Sequence, residues 1–365
     1  VQPSNELIKP VVSNLALSNE DLYSPRVEAF IEEQSVIARA TPEAPPRAWY
    51  AKVLYSSCFY LSFAGMLGAL VAWAVVEPFF NDENVGEEVD AASVLLFPTV
   101  AAGVGLFLGA AEGIMCRNAG RAGLSAVVGL GAGFLGGLLA VIPTGLVFMG
   151  MVAIAMEVGP PRSDEVMPRG FGFLLLMMGR GMAWTIAALP AGLGQGLALR
   201  DKKVAINGIV GAVMGGLLGG MFFDPIDVIF GDGESAAGSR AVGFAFIGAC
   251  VGLFTGLVEQ WTKTAWLHMR AGPLAGKQFI VFRNPTVLGS SPKCDIYLFK
   301  DAAIEPRHAL IHDRGGRYEI EDLQSKDGTY VNGRPVVGKR VLQAGDTIVL
   351  GKTVLEFALR DKERA

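Results

Sequence analysis

Along the 365 residues the apolar positions fall into two regimes. Between about residues 51 and 261 they come in nearly unbroken runs of roughly 19 or more, each long enough to cross a hydrocarbon layer. Six runs stand near 51–76, 94–115, 123–150, 177–199, 204–224 and 241–261. From about Ala271 the runs stop, and short strand-like stretches replace them. These are Gln278–Phe282, Asp295–Leu298, Ala309–His312, Tyr318–Glu321, Tyr330–Val331, Thr347–Leu350 and Val354–Ala358. Gly, Asn, Asp and Pro turns separate them, with hairpins marked at Gly315-Gly316 and Asn332-Gly333, which predicts an antiparallel β-sandwich. The expected fold class is thus multi-domain: a polytopic α-helical membrane bundle over 48–270, then an all-β domain over 271–365.

Three details of the pattern are less regular. Apolar character in the third run extends from Leu124 to Met156, too long for one straight crossing, so Pro143-Thr144-Gly145 is expected to kink or end that helix. Phe171 to Met178 reads as an interfacial segment ahead of the fourth span, with Arg180 near the membrane surface. Residues 1–47 form a polar arm without glycine. Ser24-Pro25 followed by Val27, Phe30, Ile31 and Ile37 predicts a short amphipathic helix near 25–39, suited to packing on its own protein or on a partner. The arm has no basic segment leading into an apolar run, so no cleaved signal peptide is expected.

Charge orients the spans. Glu77, Asp82, Glu83, Glu87, Glu88 and Asp90 crowd the first loop, and Asp224, Asp227, Asp232 and Glu234 the fifth. Arg117, Arg121, Arg200, Lys202 and Lys203 hold the second and fourth, while Lys263 and Arg270 follow the last span. The excess of positive charge on one side predicts a multi-pass protein of the cytoplasmic (inner) membrane with both termini in the cytoplasm.

The spans also repeat. Gly105-Leu106-Phe107-Leu108-Gly109-Ala110-Ala111-Glu112 matches Gly252-Leu253-Phe254-Thr255-Gly256-Leu257-Val258-Glu259, with a weaker copy from Ala188 through Gly192 to Gln195. Gly129, Gly133, Gly137 and Pro143 correspond at constant offset to Gly211, Gly215, Gly219 and Pro225. Spans two–three and four–five therefore read as related hairpins, and six with one as a third, giving a pseudo-threefold bundle. Glycine at every fourth position lets helix backbones approach closely, inside the bundle or against another copy or another membrane protein. Glu112, Gln195 and Glu259 fall at equivalent span ends, where they are either a polar cluster or solvated, paired helix ends.

Composition closes several alternatives. The net charge of −4 lacks the concentrated basic face that nucleic acid requires. Four cysteines (Cys58, Cys116, Cys250, Cys294) lie far apart with no metal-ligand spacing, so neither a metal site nor a disulfide framework is expected. The histidines, His268, His308 and His312, all fall beyond the last span, and neither a Walker loop nor a nucleophile elbow occurs. An enzyme is not expected, and no cofactor is implied.

The last part of the chain carries Leu288-Gly289, Cys294-Asp295-Ile296, Arg307-His308-Ala309, Ser325-Lys326-Asp327-Gly328-Thr329, Val331-Asn332-Gly333 and Gly345-Asp346. In order and spacing this resembles the forkhead-associated (FHA) domain over about 272–360. The resemblance implies peptide-binding loops at one end of the sandwich. Family members hold a phosphothreonine with an arginine and a serine, fix the peptide with an asparagine, and use a histidine as loop support. Here Gly289, His308 and Gly328 match, but Ser290 stands at the arginine position, Glu305 at the serine and Asp327 at the asparagine. Two carboxylates would face a phosphate dianion and repel it. A relocated pocket would have to use Lys293, Arg307 or Lys326, with Asn332 nearby. The expected function is a non-enzymatic, membrane-anchored scaffold whose FHA-like module docks a cytoplasmic or membrane-complex protein, with the bilayer as its other partner. FHA domains are common in bacterial signalling and secretion, so an assembly of that kind is suggested. The alternative is a transporter or channel regulated by its FHA-like module, for which repeated hairpins and polar span ends speak.

Overall fold

The computed structural model describes residues 53–79, 91–162, 167–230 and 237–360. The N-terminal arm, with the helix expected near 25–39, lies outside the described residues. The helices are α1 (Ser57–Val76), α2 (Ala91–Met115), α3 (Ala119–Val158), α4 (Phe171–Leu199), α5 (Lys202–Met221), α6 (Phe223–Phe230) and α7 (Ala237–Thr262). A 3₁₀ turn, Glu77–Phe79, extends α1. Six of the helical segments are long and apolar enough to cross a membrane.

Each long helix packs on the next, and α7 closes on α1, so the six make a ring. Glycine sets the crossings. A Cβ on Gly105, Gly192 or Gly248 would overlap the carbonyl oxygen of Gly129, Gly208 or Gly65, respectively. The three pairs join α2 to α3, α4 to α5 and α7 to α1, the three related hairpins. The turns repeat as well. Arg117 and Arg200 both sit at φ 52°. The next residue then caps the following helix: the Asn118 side chain accepts from Arg121 N, and Asp201 accepts from Lys203 N and Val204 N. At the centre the rings of Phe97, Trp184 and Phe244 pack at centroid separations of 5.0 and 5.6 Å, from α2, α4 and α7. Trp184 and Phe244 are buried, so aromatic rings fill the space between these helices.

The helices depart from the expected boundaries at three places. Pro143 neither ends α3 nor detaches its tail: the helix runs unbroken for 40 residues. Pro98 and Pro190 are likewise internal to their helices. Phe171 to Met178 is continuous with the fourth span as the start of α4, which Gly170 opens at φ 55°. Arg180 therefore lies inside α4, with its Nε 2.8 Å from buried Asp224 and its guanidinium over the rings of Phe148 and Phe223. The helix of the fifth span is interrupted at Phe222, and Phe223–Phe230 forms a helix of its own.

The strands are β1 (Ala265–Ala271), β2 (Gln278–Ile280), β3 (Thr286–Gly289), β4 (Ile296–Tyr297), β5 (Ala309–Arg314), β6 (Arg317–Asp322), β7 (Thr329–Val331), β8 (Arg334–Pro335), β9 (Lys339–Val341), β10 (Thr347–Leu350) and β11 (Thr353–Leu359). They form two sheets, ordered β2-β1-β11-β10-β7-β8 and β4-β3-β5-β6-β9. Pairing is antiparallel except between β3 and β4. Alternate residues point inward, and Leu267, Leu288, Ile311, Ile320, Ile348, Leu355 and Phe357 make a fully buried core. The sandwich starts at Ala265, ahead of the boundary expected at 271. Trp266, Leu267 and Met269 prolong the apolar composition of α7 with no turn residue between, which conceals the strand.

Only Lys263 and Thr264 separate α7 from β1, and both are held. Thr264 O accepts from Arg360 N at 2.9 Å, and Lys263 Nζ donates to Gln278 Oε1 at 3.0 Å. The Arg360 guanidinium donates to Trp261 O. The sandwich is thus a direct continuation of the bundle, with no free linker between them.

Candidate functional site

The loop edge of the sandwich is built around His308, which is fully buried at the start of β5. Its Nδ1 accepts from Glu305 N at 3.1 Å, so Nε2 carries the hydrogen and donates to Gly328 O at 3.2 Å. One imidazole thereby ties the loop before β5 to the loop before β7. The loop after β3 joins them: Ser290 N donates to Glu305 O at 2.9 Å and Ser291 N to Pro306 O at 3.2 Å. Gly289 has to be glycine, because a Cβ there would strike the Pro306 carbonyl.

Asp322 organises the remaining loop. Its carboxylate accepts from Thr329 Oγ1 at 2.6 Å, Ser325 Oγ at 2.7 Å and Ser325 N at 2.9 Å. Burial pulls this carboxyl upward, but the hydrogen bonds from Thr329 and Ser325 outweigh it and hold the group below its ordinary value. Cys294, behind the first loop, donates its Sγ–H to Pro306 O, and burial pushes its thiol up.

The structure therefore brings Gly289, Ser290, Glu305, His308 and Gly328 to one end of the sandwich, with Arg307, Lys326 and Asp327 exposed on the same loops. Asn332 does not join them. It sits past the far end of β7 at φ 49°, where its Nδ2 donates to Asp346 Oδ1 at 2.7 Å and its Oδ1 accepts from Thr347 N at 2.8 Å. Asn332 is a turn residue pinned to β10.

A second set of contacts, not expected from the sequence, fixes this edge to the bundle. Asn118 Nδ2 donates to Pro292 O at 2.8 Å, and Arg121 donates to Asp295 O at 2.9 Å. Arg283 pairs with Asp295 at 3.0 Å and donates to Leu199 O. Cys116, in the turn after α2, packs in the sandwich's own core cluster. Lys277, from the loop between β1 and β2, is buried with its ammonium 5.6 Å from the Tyr60 ring of α1 and 5.9 Å from that of Phe279. Lys277 carries no sequence signal, since a loop lysine is ordinarily solvated.

Of the three equivalent polar span ends, two meet: Gln195 Nε2 donates to Glu112 Oε2 at 3.1 Å, and Arg121 lies 3.5 Å from Glu112 Oε1. Glu259 bonds to neither Glu112 nor Gln195 among the described residues. Among the described residues no group of His, Cys, Asp and Glu is arranged to hold a metal ion.

A family model of the FHA domain matches residues 286–351. An oxoglutarate dehydrogenase inhibitor of Corynebacterium jeikeium is 39% identical over 100 residues, which make up 27% of this chain and 68% of that protein. The chain belongs to the FHA-domain family. The glycogen accumulation regulator GarA of Mycolicibacterium smegmatis is 36% identical over 106 residues, 29% of this chain and 66% of that protein. The FHA domain of the CT664 protein from Chlamydia trachomatis is a structural relative at 29% identity and a TM-score of 0.25, covering 27% of this chain and 99% of that one. These likenesses each cover less than a third of the chain. The FHA module is a protein-docking domain without catalytic chemistry of its own.

Proposed function

We propose that this protein is a non-enzymatic membrane scaffold that holds an FHA head rigidly on a six-span anchor, and that the head docks a protein partner without reading phosphothreonine. The observation that carries the reading is the pairing of an intact loop framework with inverted charge. His308 still ties the loops together, yet by the family resemblance Ser290 and Glu305 occupy the positions that would hold a phosphate and Asp327 the one that would fix the peptide. Donors matched to a dianion are what such recognition requires, and acids in their place oppose it. The seam supports a scaffold rather than a tethered sensor, because Asn118, Arg121, Arg283 and Lys277 leave the head no freedom to swing. The relatives include proteins named as an oxoglutarate dehydrogenase inhibitor and a glycogen accumulation regulator, and a basic or unmodified protein surface is the partner this reading assigns to the edge.

A transporter or channel needs a wet path, and the aromatic packing of Phe97, Trp184 and Phe244 where α2, α4 and α7 meet speaks against one. A photo-crosslinking residue at Lys326 in native membranes tests the proposal. A discrete protein adduct that survives prior phosphatase treatment is expected; loss of that adduct on phosphatase treatment would refute phosphate-independent docking.

A further inference from the structure

The seam between bundle and FHA module encloses a half-open cavity of about 350 Å³. That volume is at the lower end of the range of small-ligand sites. Its apolar walls are Leu124 and Val204 on the bundle side and Ile280 and Phe282 on the module. Three cations reach it: Arg121, Arg283 and Lys293.

Three acids also line it, but each is already engaged. Glu112 accepts from Gln195 and faces Arg121. Asp295 faces Arg283 and accepts from Val287 N at 2.9 Å. Asp201 caps α5. Arg121 and Arg283 each have more N–H donors than these contacts consume, and Lys293, exposed at the rim, has no side-chain partner among the described residues. With three cations against three acids the lining carries no net charge, so what the cavity offers a ligand is spare N–H donors and the exposed Lys293 ammonium beside apolar walls. An amphiphile with an anionic head fits that combination.

Leu124, on the cavity wall, also stands at the head of the outer face of α3. Val127, Leu135 and Leu139 follow it, exposed along the same side of that helix. A head group in the seam would place its acyl chains on this strip. We propose that the seam cavity binds the phosphate head of an anionic phospholipid, whose chains lie along α3. The proposal rests on the membrane reading above, and it makes the lipid a structural wedge between anchor and head. Basic pockets beside spanning helices bind lipid head groups through the same pairing of charge and apolar surface.

The test uses the full chain purified in detergent, titrated calorimetrically with short-chain phosphatidylglycerol, short-chain phosphatidylcholine and glycerol phosphate. Phosphatidylglycerol is expected to bind while the other two do not. Lys293→Glu, on an exposed side chain outside the packed core, should weaken it about fivefold or more. Lys300→Glu, also exposed but outside the cavity, should leave it unchanged. Equal binding of phosphatidylcholine, or no loss in Lys293→Glu, would overturn the site. Glycerol phosphate binding as tightly as the lipid would make the ligand a soluble phosphate ester and overturn the lipid assignment. Alkaline carbonate extraction of native membranes separates the two readings. Release of the chain refutes the membrane reading itself, whereas retention without phosphatidylglycerol selectivity refutes only the lipid site.

Discussion

Restoring three side chains should turn the FHA edge into a phosphate site, because the framework beneath it is already in place. In S290R/E305S/D327N the loops remain tied by His308, with Glu305 replaced only beyond its backbone. Ser290 N holds the carbonyl of residue 305 at 2.9 Å, so the two side chains leave from bonded backbones and would face one ligand. At about 6 Å a carboxylate and a phosphate dianion repel by about 1.4 kcal/mol in bulk water, and more at the lower effective dielectric of a protein surface. A guanidinium hydrogen bond to a charged group contributes about 1.5–3 kcal/mol. Exchanging the one for the other should gain about 3–6 kcal/mol, which is a hundredfold or more in affinity. Fluorescence anisotropy with a labelled phosphothreonine peptide and its unphosphorylated twin reads this directly. The reasoning fails if the wild-type chain binds the phosphopeptide as tightly as the variant. It fails equally if a variant with unchanged melting gains less than about tenfold.

His308→Ala should destabilise the module by about 2–3 kcal/mol, since it strands the buried Glu305 N–H and Gly328 carbonyl; hydrogen exchange on the loops around them would rise, and unchanged protection would contradict the role given to the imidazole. Gly248→Val should lower the melting temperature of the full chain, because overpacking costs about 1–3 kcal/mol and the Gly65 backbone cannot retreat. Gly145→Ala on α3, with open space around its Cβ position, is the control expected to melt like wild type. Because the Asp322 carboxyl is held below its ordinary value, the stability it contributes is complete above about pH 4 and lost as pH falls through its folded-state value. Asp322→Asn should flatten that acid limb in a pH-melting series, and an unaltered limb would assign the loss to other carboxylates.

Much of this architecture was legible because its signals are local. Apolar runs of membrane length, the four-residue spacing of glycine and the turn pairs at Gly315-Gly316 and Asn332-Gly333 each depend on neighbouring residues. The third hairpin, α7 with α1, was readable only through the likeness of Gly252–Glu259 to Gly105–Glu112, since its two helices sit at opposite ends of the bundle sequence. What escaped depends on tertiary contact. β1 was concealed behind apolar continuity with α7, and Pro143 looked like a breaker because its missing N–H removes one helical hydrogen bond, a loss that does not end a helix of 40 residues. Asn332 carries a residue type suited to a ligand, yet the register of β7 against β10 turns it to the wrong end. The seam left no trace: Lys277, Asn118 and Arg283 are ordinary polar residues until the fold buries them or sets them against another backbone.

The charge inversion at the FHA edge is tested most directly by titrating the full chain with degenerate phosphothreonine peptide libraries beside their dephosphorylated counterparts. The account predicts no preference for the phosphorylated pool. Micromolar binding of that pool, abolished by Arg307→Ala or Lys326→Ala, would contradict it.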